Sequence, residues 1–161
     1  MFISLNPDFN SIRGINKIRQ MIVELGLQGE LLVKPSELHC TLMYDRRNPA
    51  IFEYSPSRDH YFCKITGVAL MGKPKSEWEA ISVTLEPDVE LKARFEELCN
   101  IGFVHSHKEF KPNISLVYHP TGNRDELLSA IEELNYRVKC LPLIDSTISL
   151  YNEQAKKTSE G

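Results

Sequence analysis

Apolar residues recur along this chain with two different periods. In three stretches they return every three or four positions, which is the period of one face of an α-helix. The first stretch places Ile15, Ile18 and Ile22 on one side, between a cap at Asn10 or Ser11 and a stop at Gly26. The predicted helices are residues 11–25, residues 88–99 and a segment that starts near Asn123.

Runs rich in β-branched and aromatic residues lie between the helical stretches and predict strands. The predicted strands are residues 2–6, 38–44, 60–71, 78–85, 113–118 and 144–151. Polar segments at 45–59 and 102–112 predict loops. Residues 152–161 are polar throughout and predict a frayed tail. We therefore expect one domain over residues 1–151, followed by the tail.

The two halves of the chain repeat one order of elements: strand, helix, strand. The final strand of each half carries a short polar pair behind a Lys-Pro dipeptide, and then two apolar residues and a tyrosine. These two segments are His39-Cys40-Thr41-Leu42-Met43-Tyr44 and Asn113-Ile114-Ser115-Leu116-Val117-Tyr118. The repeat predicts an α+β fold with two pseudo-symmetric lobes, in which antiparallel sheets face a central cleft and the helices lie outside.

The polar pairs indicate chemistry on a phosphate ester. In a strand, residues i and i+2 share a face about 6.6–7 Å apart, so His39 lies beside Thr41 and Asn113 beside Ser115. Hydroxyl groups can hydrogen-bond the non-bridging oxygens of a phosphodiester. Imidazole suits proton transfer because its unperturbed pKa is about 6.5. We expect no metal and no cofactor, since the sequence has no carboxylate cluster to hold a cation.

Composition and charge narrow the class of ligand. Hydrophobic residues make up 42% of the 161 residues and charged residues 25%, which is ordinary for a globular protein and excludes a disordered chain. The net charge of −3 argues against a partner of long nucleic acid but allows a small anionic ligand in a local pocket. With no apolar run of membrane-spanning length and no secretion signal, we expect a cytoplasmic monomer whose four cysteines are reduced and mostly buried.

The paired motifs resemble those of the two-histidine (2H) phosphoesterase superfamily, in which His-x-Thr/Ser occurs twice on equivalent strands. Among its branches, the segment from Lys34 to Tyr44 is most similar to the phage anti-CBASS nucleases, which destroy cyclic-oligonucleotide signals of the host. The resemblance covers the whole domain and implies a bilobal fold. It also implies that His39 and the residue at position 113 act as the general acid and general base, while Thr41 and Ser115 hold the phosphate.

Asn113 departs from the family pattern, which has histidine at this position. Asparagine can hydrogen-bond as one side of an imidazole does, but it cannot shuttle a proton near neutral pH. Either a substitution has inactivated an otherwise complete enzyme and traps its substrate, or the protein is a binder that has lost catalysis. We favour the first, since every other motif position is intact.

The resemblance implies a metal-independent phosphodiesterase that hydrolyses the 3′–5′ bonds of cyclic di- and trinucleotides and so defeats CBASS immunity in the host cytosol. The alternatives are an RNA 2′,3′-cyclic phosphodiesterase and a non-catalytic cyclic-nucleotide sponge. Four further residues are candidates for binding the ligand: Trp78 and Tyr151 by stacking, Asp145 by reading a base edge, and Lys111 by attracting phosphate. His105 and His107 lack the partners that a metal site needs.

Overall fold

The computed structural model describes residues 1–140 and 147–158 as a sheet of seven strands with three α-helices and one short 3-10 helix. The strands are β1 (Phe2–Pro7), β2 (Gly29–Leu32), β3 (Cys40–Tyr44), β4 (Tyr61–Met71), β5 (Ala80–Pro87), β6 (Asn113–Pro120) and β7 (Thr147–Lys156). The α-helices are α1 (Phe9–Glu24), α2 (Val89–Asn100) and α3 (Arg124–Lys139), and the 3-10 helix is Pro35–Glu37.

Every strand pairing of the sheet is antiparallel, which confirms the predicted α+β class. The strand order is β2-β6-β3-β1-β7-β4-β5, and β5 also pairs with β6. Six strands, β3, β1, β7, β4, β5 and β6, therefore form a closed ring, because β6 pairs both with β5 and with β3. The two motif strands, β3 and β6, are neighbours within this ring.

Aspartate or asparagine side chains cap the N-termini of all three helices. The Asp8 carboxylate accepts a hydrogen bond from the backbone N–H of Ser11, and Asp88 accepts one from Leu91, both at 2.8 Å. Asn123 caps α3 in the same way. The cap of α1 is thus Asp8, two or three residues before the predicted start, and such a cap contributes about 1 kcal/mol.

The helices and one face of the sheet share a single apolar core. Along β1, Ile3 and Leu5 are completely buried in this core, while the alternate residues Ser4 and Asn6 line a cavity on the other face. Ile15, Ile18 and Ile22 of α1 pack into the same core, as their spacing predicts. The alternation of the strands therefore separates a packed face from an open, more polar face.

Three expectations about the fold need correction. The short strand β2 was not predicted, since its exposed sequence Gly-Glu-Leu-Leu has no alternation. Strand β7 continues into the predicted tail as far as Lys156, because its last residues pair with β1, where Lys156 lies opposite Phe2. Of the cysteines, Cys40 and Cys63 are buried, but Cys99 and Cys140 are exposed.

The repeat of the sequence is also a repeat of strand register. On the β1–β3 ladder, Phe2 lies opposite Tyr44 and Ile3 opposite Met43, and then Ser4 lies opposite Thr41. The β5–β6 ladder makes the same one-residue skip, after Ile81 opposite Val117. Each motif strand therefore carries a β-bulge at the same motif position, Leu42 in one half and Leu116 in the other.

Candidate active site

The open face of the sheet forms a cavity of about 1340 Å³. Its floor is made by the two motif strands together with β1 and β7, and its walls by the segments 35–39 and 105–111. The cavity lining contains seven of the eight residues that the sequence singles out: His39, Thr41, Asn113, Ser115, Trp78, Tyr151 and Lys111. The eighth, Asp145, lies outside the described residues.

The two polar pairs meet at the contact between the motif strands. Cys40 lies opposite Ile114 in this antiparallel pairing, and both side chains are completely buried in the core. The register, continued by one residue each way, sets His39 beside Ser115 and Thr41 beside Asn113. All four side chains line the cavity, as expected for residues that alternate with a buried pair.

The bulges decide which other motif residues face the cavity. In a regular strand Thr41 and Tyr44 point to opposite faces, since they are three residues apart. The extra residue Leu42 restores the parity, so Tyr44 lines the cavity together with Thr41. In β6 the bulge at Leu116 brings Tyr118 to the same face as Ser115.

His39 and Asn113 make the same hydrogen bond in their two halves. The Nδ1 atom of His39 lies 2.9 Å from the carbonyl oxygen of Glu37, and Asn113 Nδ2 donates to the carbonyl oxygen of Lys111, also at 2.9 Å. A carbonyl oxygen only accepts, so Nδ1 carries the proton in His39. Nε2 of the neutral His39 ring is then a proton acceptor. The amide N–H of Asn113 thus takes the place of the Nδ1–H group of an imidazole, and the side chain has no counterpart of Nε2.

A serine of a neighbouring strand lies beside each of the two motif hydroxyl groups. Ser82 of β5 is completely buried, and its Oγ donates to Ser115 Oγ at 3.3 Å. In the other half Ser4 occupies the equivalent place opposite Thr41 and lines the cavity. A hydroxyl that receives a hydrogen bond keeps its own proton for an oxygen of a ligand.

Charges around the cavity favour an anion although the chain as a whole is acidic. The lining includes four lysines, Lys108, Lys111, Lys156 and Lys157, against two carboxylates, Glu37 and Glu109. Glu109 lies 3.4 Å from the ammonium group of Lys111, which offsets part of that positive charge. Formal charges in the lining sum to +2, whereas the net charge of the chain is −3. Two of the lysines belong to the stretch that was predicted to be a tail.

The two predicted stacking residues have different surroundings. Trp78 is 59% exposed and lies in the segment just before β5. Tyr151 of β7 stacks on the ring of His60, with centroids 5.2 Å apart and an angle of 3° between the planes. One face of Tyr151 is thus already covered.

A cluster of rings at one end of the cavity was not predicted from the sequence. Phe2 and Tyr44 are stacked with centroids 4.4 Å apart, and the ring of His107 lies 5.4 Å from that of Tyr44. His105 contacts this cluster through His107 and accepts a hydrogen bond at Nδ1 from the backbone N–H of Tyr44. Burial, together with the neighbouring His107, lowers the pKa of His105 to about 4, so this ring is neutral at physiological pH. The aromatic character of Phe2 and Tyr44 was visible, but their shared face depends on the bulge.

Among residues 1–140 and 147–158, no three His, Cys, Asp or Glu side chains come together as metal ligands. Within the same part of the chain, no helix is long and apolar enough to cross a membrane.

The fold and the cavity define an α+β protein in which two repeated strands present histidine, amide and hydroxyl groups to one ligand-sized site. A family model described as anti-CBASS protein Acb1 matches residues 10–143, and the chain belongs to this family. Membership assigns the protein to phage evasion of CBASS immunity and implies an interaction with cyclic oligonucleotides. No curated protein sequence matches the chain.

Proposed function

We propose that this protein is a metal-independent phosphodiesterase of the 2H type, which binds cyclic di- and trinucleotides in the cavity and hydrolyses their 3′–5′ bonds. The observation that carries the proposal is the matching anchoring of His39, which directly precedes β3, and Asn113, which begins the adjacent strand β6. Family membership supports the class of ligand. The repeated registers and bulges support a 2H-type bilobal origin of the sheet.

His39 is the proton-transfer group in this proposal. Its Nδ1–H is fixed by the Glu37 carbonyl, so Nε2 can take a proton from an attacking water, or return one to the leaving oxygen once the ring is protonated. The oxygen of water bonds to phosphorus, the bond from phosphorus to the 3′-oxygen breaks, and the leaving oxygen takes up a proton. When a ribose 2′-hydroxyl is the nucleophile instead, its oxygen bonds to phosphorus, the bond from phosphorus to the 5′-oxygen breaks, that oxygen takes up a proton, and a 2′,3′-cyclic end is left.

Thr41 and Ser115 hold the phosphate in this scheme. Their hydroxyls flank the contact between the motif strands, so both can donate to non-bridging oxygens of one phosphate. Donors fixed on strands stabilise the charge that develops on those oxygens without reorganising during the reaction. The four lysines of the lining attract the same anion.

Asn113 limits the rate of this reaction. A positioned acid or base contributes about 10²–10⁴-fold, and the amide of Asn113 cannot supply that proton transfer. We therefore expect the chain to bind cyclic oligonucleotides and to hydrolyse them slowly. Substitution Asn113→His, which keeps a donor at the δ position for the Lys111 carbonyl, completes the pair.

The test compares the chain with Asn113→His on a cyclic dinucleotide, a cyclic trinucleotide and an RNA with a 2′,3′-cyclic end, all in EDTA. We expect kcat for the cyclic oligonucleotides to rise about 10²–10⁴-fold in the substituted protein. Products are separated by chromatography and identified by mass. A matched control is Asn100→His, which places the same side chain at an exposed position outside the cavity.

The outcomes separate the three functions. Hydrolysis of the cyclic oligonucleotides that disappears when His39→Asn is added supports the proposal. Cleavage of the RNA end alone identifies an RNA 2′,3′-cyclic phosphodiesterase. Tight binding without turnover in both forms identifies a sponge and contradicts the enzyme.

A further inference from the structure

We propose that Ser82 of β5 is a positioning residue, which fixes the hydroxyl of Ser115 as a hydrogen-bond donor to a non-bridging oxygen of the bound phosphate. Ser82 is completely buried and lies outside the cavity lining, so it acts on the ligand through Ser115. The inference rests on the proposed function and adds to the same site a residue that belongs to neither of the paired motifs.

Ser82 is part of a second, shorter repeat of the chain. In each half, the strand beside the motif strand carries the dipeptide Ile-Ser at the position of the β-bulge. The two dipeptides are Ile3-Ser4 in β1 and Ile81-Ser82 in β5. Ser4 lies opposite Thr41, and Ser82 lies opposite Ser115. The pseudo-symmetry of the strands therefore gives each motif hydroxyl a serine neighbour.

Burial distinguishes the two neighbouring serines. Ser4 lines the cavity, where water or a ligand can accept its hydrogen bond. Ser82 is completely buried, and within residues 1–140 and 147–158 its hydroxyl has one hydrogen-bond partner, the Oγ atom of Ser115 at 3.3 Å. If Ser115 were the donor in this pair, the proton of Ser82 would be buried without an acceptor, which costs free energy. Ser82 therefore donates and Ser115 accepts.

The direction of this hydrogen bond determines what Ser115 offers to a ligand. Its oxygen accepts from Ser82, so its own proton remains for an acceptor in the cavity that Ser115 lines. At 3.3 Å the bond is long for two hydroxyl groups. It tightens when Ser115 donates to an anionic oxygen, because each hydrogen bond in a chain polarises the next. Thr41, whose neighbour Ser4 is open to the cavity, can either donate or accept.

A double-substitution cycle on the chain as it stands tests the inference, since Asn113 limits cleavage during the measurement. The probes are 3′,3′-cyclic diadenylate and a cyclic triadenylate, and calorimetry measures their dissociation constants. We expect Ser82→Ala to weaken binding about 2- to 10-fold, which is the contribution of one neutral hydrogen bond. In the Ser115→Ala background the same substitution changes the affinity less than about 2-fold, because the two residues act as one unit. In the Thr41→Ala background it keeps its full effect.

Two further variants separate this role from damage to the fold. Ser82→Thr returns a hydroxyl to the same position and restores the affinity, whereas a purely structural loss persists or grows with the added methyl group. Thr66→Val removes one hydroxyl of another cross-strand pair, in which Thr66 Oγ1 lies 2.8 Å from Thr84 Oγ1 outside the cavity lining. This matched control leaves binding unchanged.

An equal loss from Ser82→Ala in the native and Ser115→Ala backgrounds overturns the role of Ser82 and leaves the proposed function standing. Unchanged affinity in Ser82→Ala, or no recovery in Ser82→Thr, has the same meaning. No binding of either cyclic oligonucleotide overturns both the role of Ser82 and the proposed function.

Discussion

Removal of the Glu153 carboxylate is expected to destabilise the protein strongly, although this residue falls in the stretch that was predicted to be a tail. Glu153 is completely buried at its side chain and receives a two-pronged hydrogen bond from Arg94, at 2.9 Å from Nε and 2.8 Å from Nη2. The hydroxyl of Tyr54 donates to the same carboxylate at 2.8 Å. The guanidinium also donates to the carbonyl oxygen of Ser55.

The magnitude follows from what the substitution leaves behind. In Glu153→Ala the guanidinium of Arg94, which is 8% exposed in the native chain, loses its buried counter-ion, and the Tyr54 hydroxyl loses its acceptor. Loss of one partner of a buried ion pair costs about 3–5 kcal/mol. That is a large part of the roughly 5–15 kcal/mol by which a domain is stable. Urea unfolding followed by circular dichroism measures the change as a lower midpoint.

A neighbouring carboxylate provides the matched control. Glu97 also forms an ion pair with Arg94, at 3.1 Å, but its side chain is 63% exposed. We expect Glu97→Ala to cost less than about 1 kcal/mol, since water screens an exposed pair. A cost below 1 kcal/mol for Glu153→Ala as well would refute the reasoning, because it would mean that water reaches the pair at Arg94.

Two further predictions concern titration and charge. The pKa of His119 is raised by hydrogen bonds to the Glu77 carbonyl and the Glu30 carboxylate, so its stabilising contribution is complete below about pH 6.5 and disappears as the pH rises through the raised value. Tm of the native chain should therefore fall towards that of His119→Asn on going from acid to alkaline pH, and a difference independent of pH would contradict this. The double substitution Lys156→Gln and Lys157→Gln should weaken cyclic diadenylate binding about 2- to 30-fold at low salt. The difference should shrink at high salt, and equal losses at both would argue against an electrostatic role.

Local patterns predicted the helices and most strands of this fold, and long-range pairing explains where they failed. The apolar spacing of α1 and α3 needs no partner to be recognised: α1 lies close to its predicted bounds, and α3 begins next to its predicted start at Asn123. Strand β2 has one intermediate and three exposed residues, so its existence depends on hydrogen bonds to β6. The end of β7 depends in the same way on β1, since Lys156 lies opposite Phe2.

In the candidate site, too, local spacing predicted some residues, whereas others depend on the irregular pairing between strands. Spacing of two in a strand predicted that His39 and Thr41 share a face, and the structure brings them to one cavity with Asn113 and Ser115. Tyr44 and Tyr118 were not predicted there, because a regular strand would turn both away. The bulges turn these two side chains to the cavity face, and they leave no signal in the sequence beyond the repeated Leu-x-Tyr.

His39 and Asn113 each form a hydrogen bond to the carbonyl oxygen of the residue two places earlier. This match has an evolutionary consequence. A duplicated gene segment gives two copies of one scaffold, and each copy can then drift separately. Because the side-chain anchor needs just an N–H at the δ position, histidine and asparagine satisfy it equally. Selection on the scaffold therefore does not distinguish these two residues, whereas under the proposed function selection on turnover does. A single base change in a histidine codon gives asparagine, so a lineage under no pressure to cleave can lose turnover in one step and keep the anchored site.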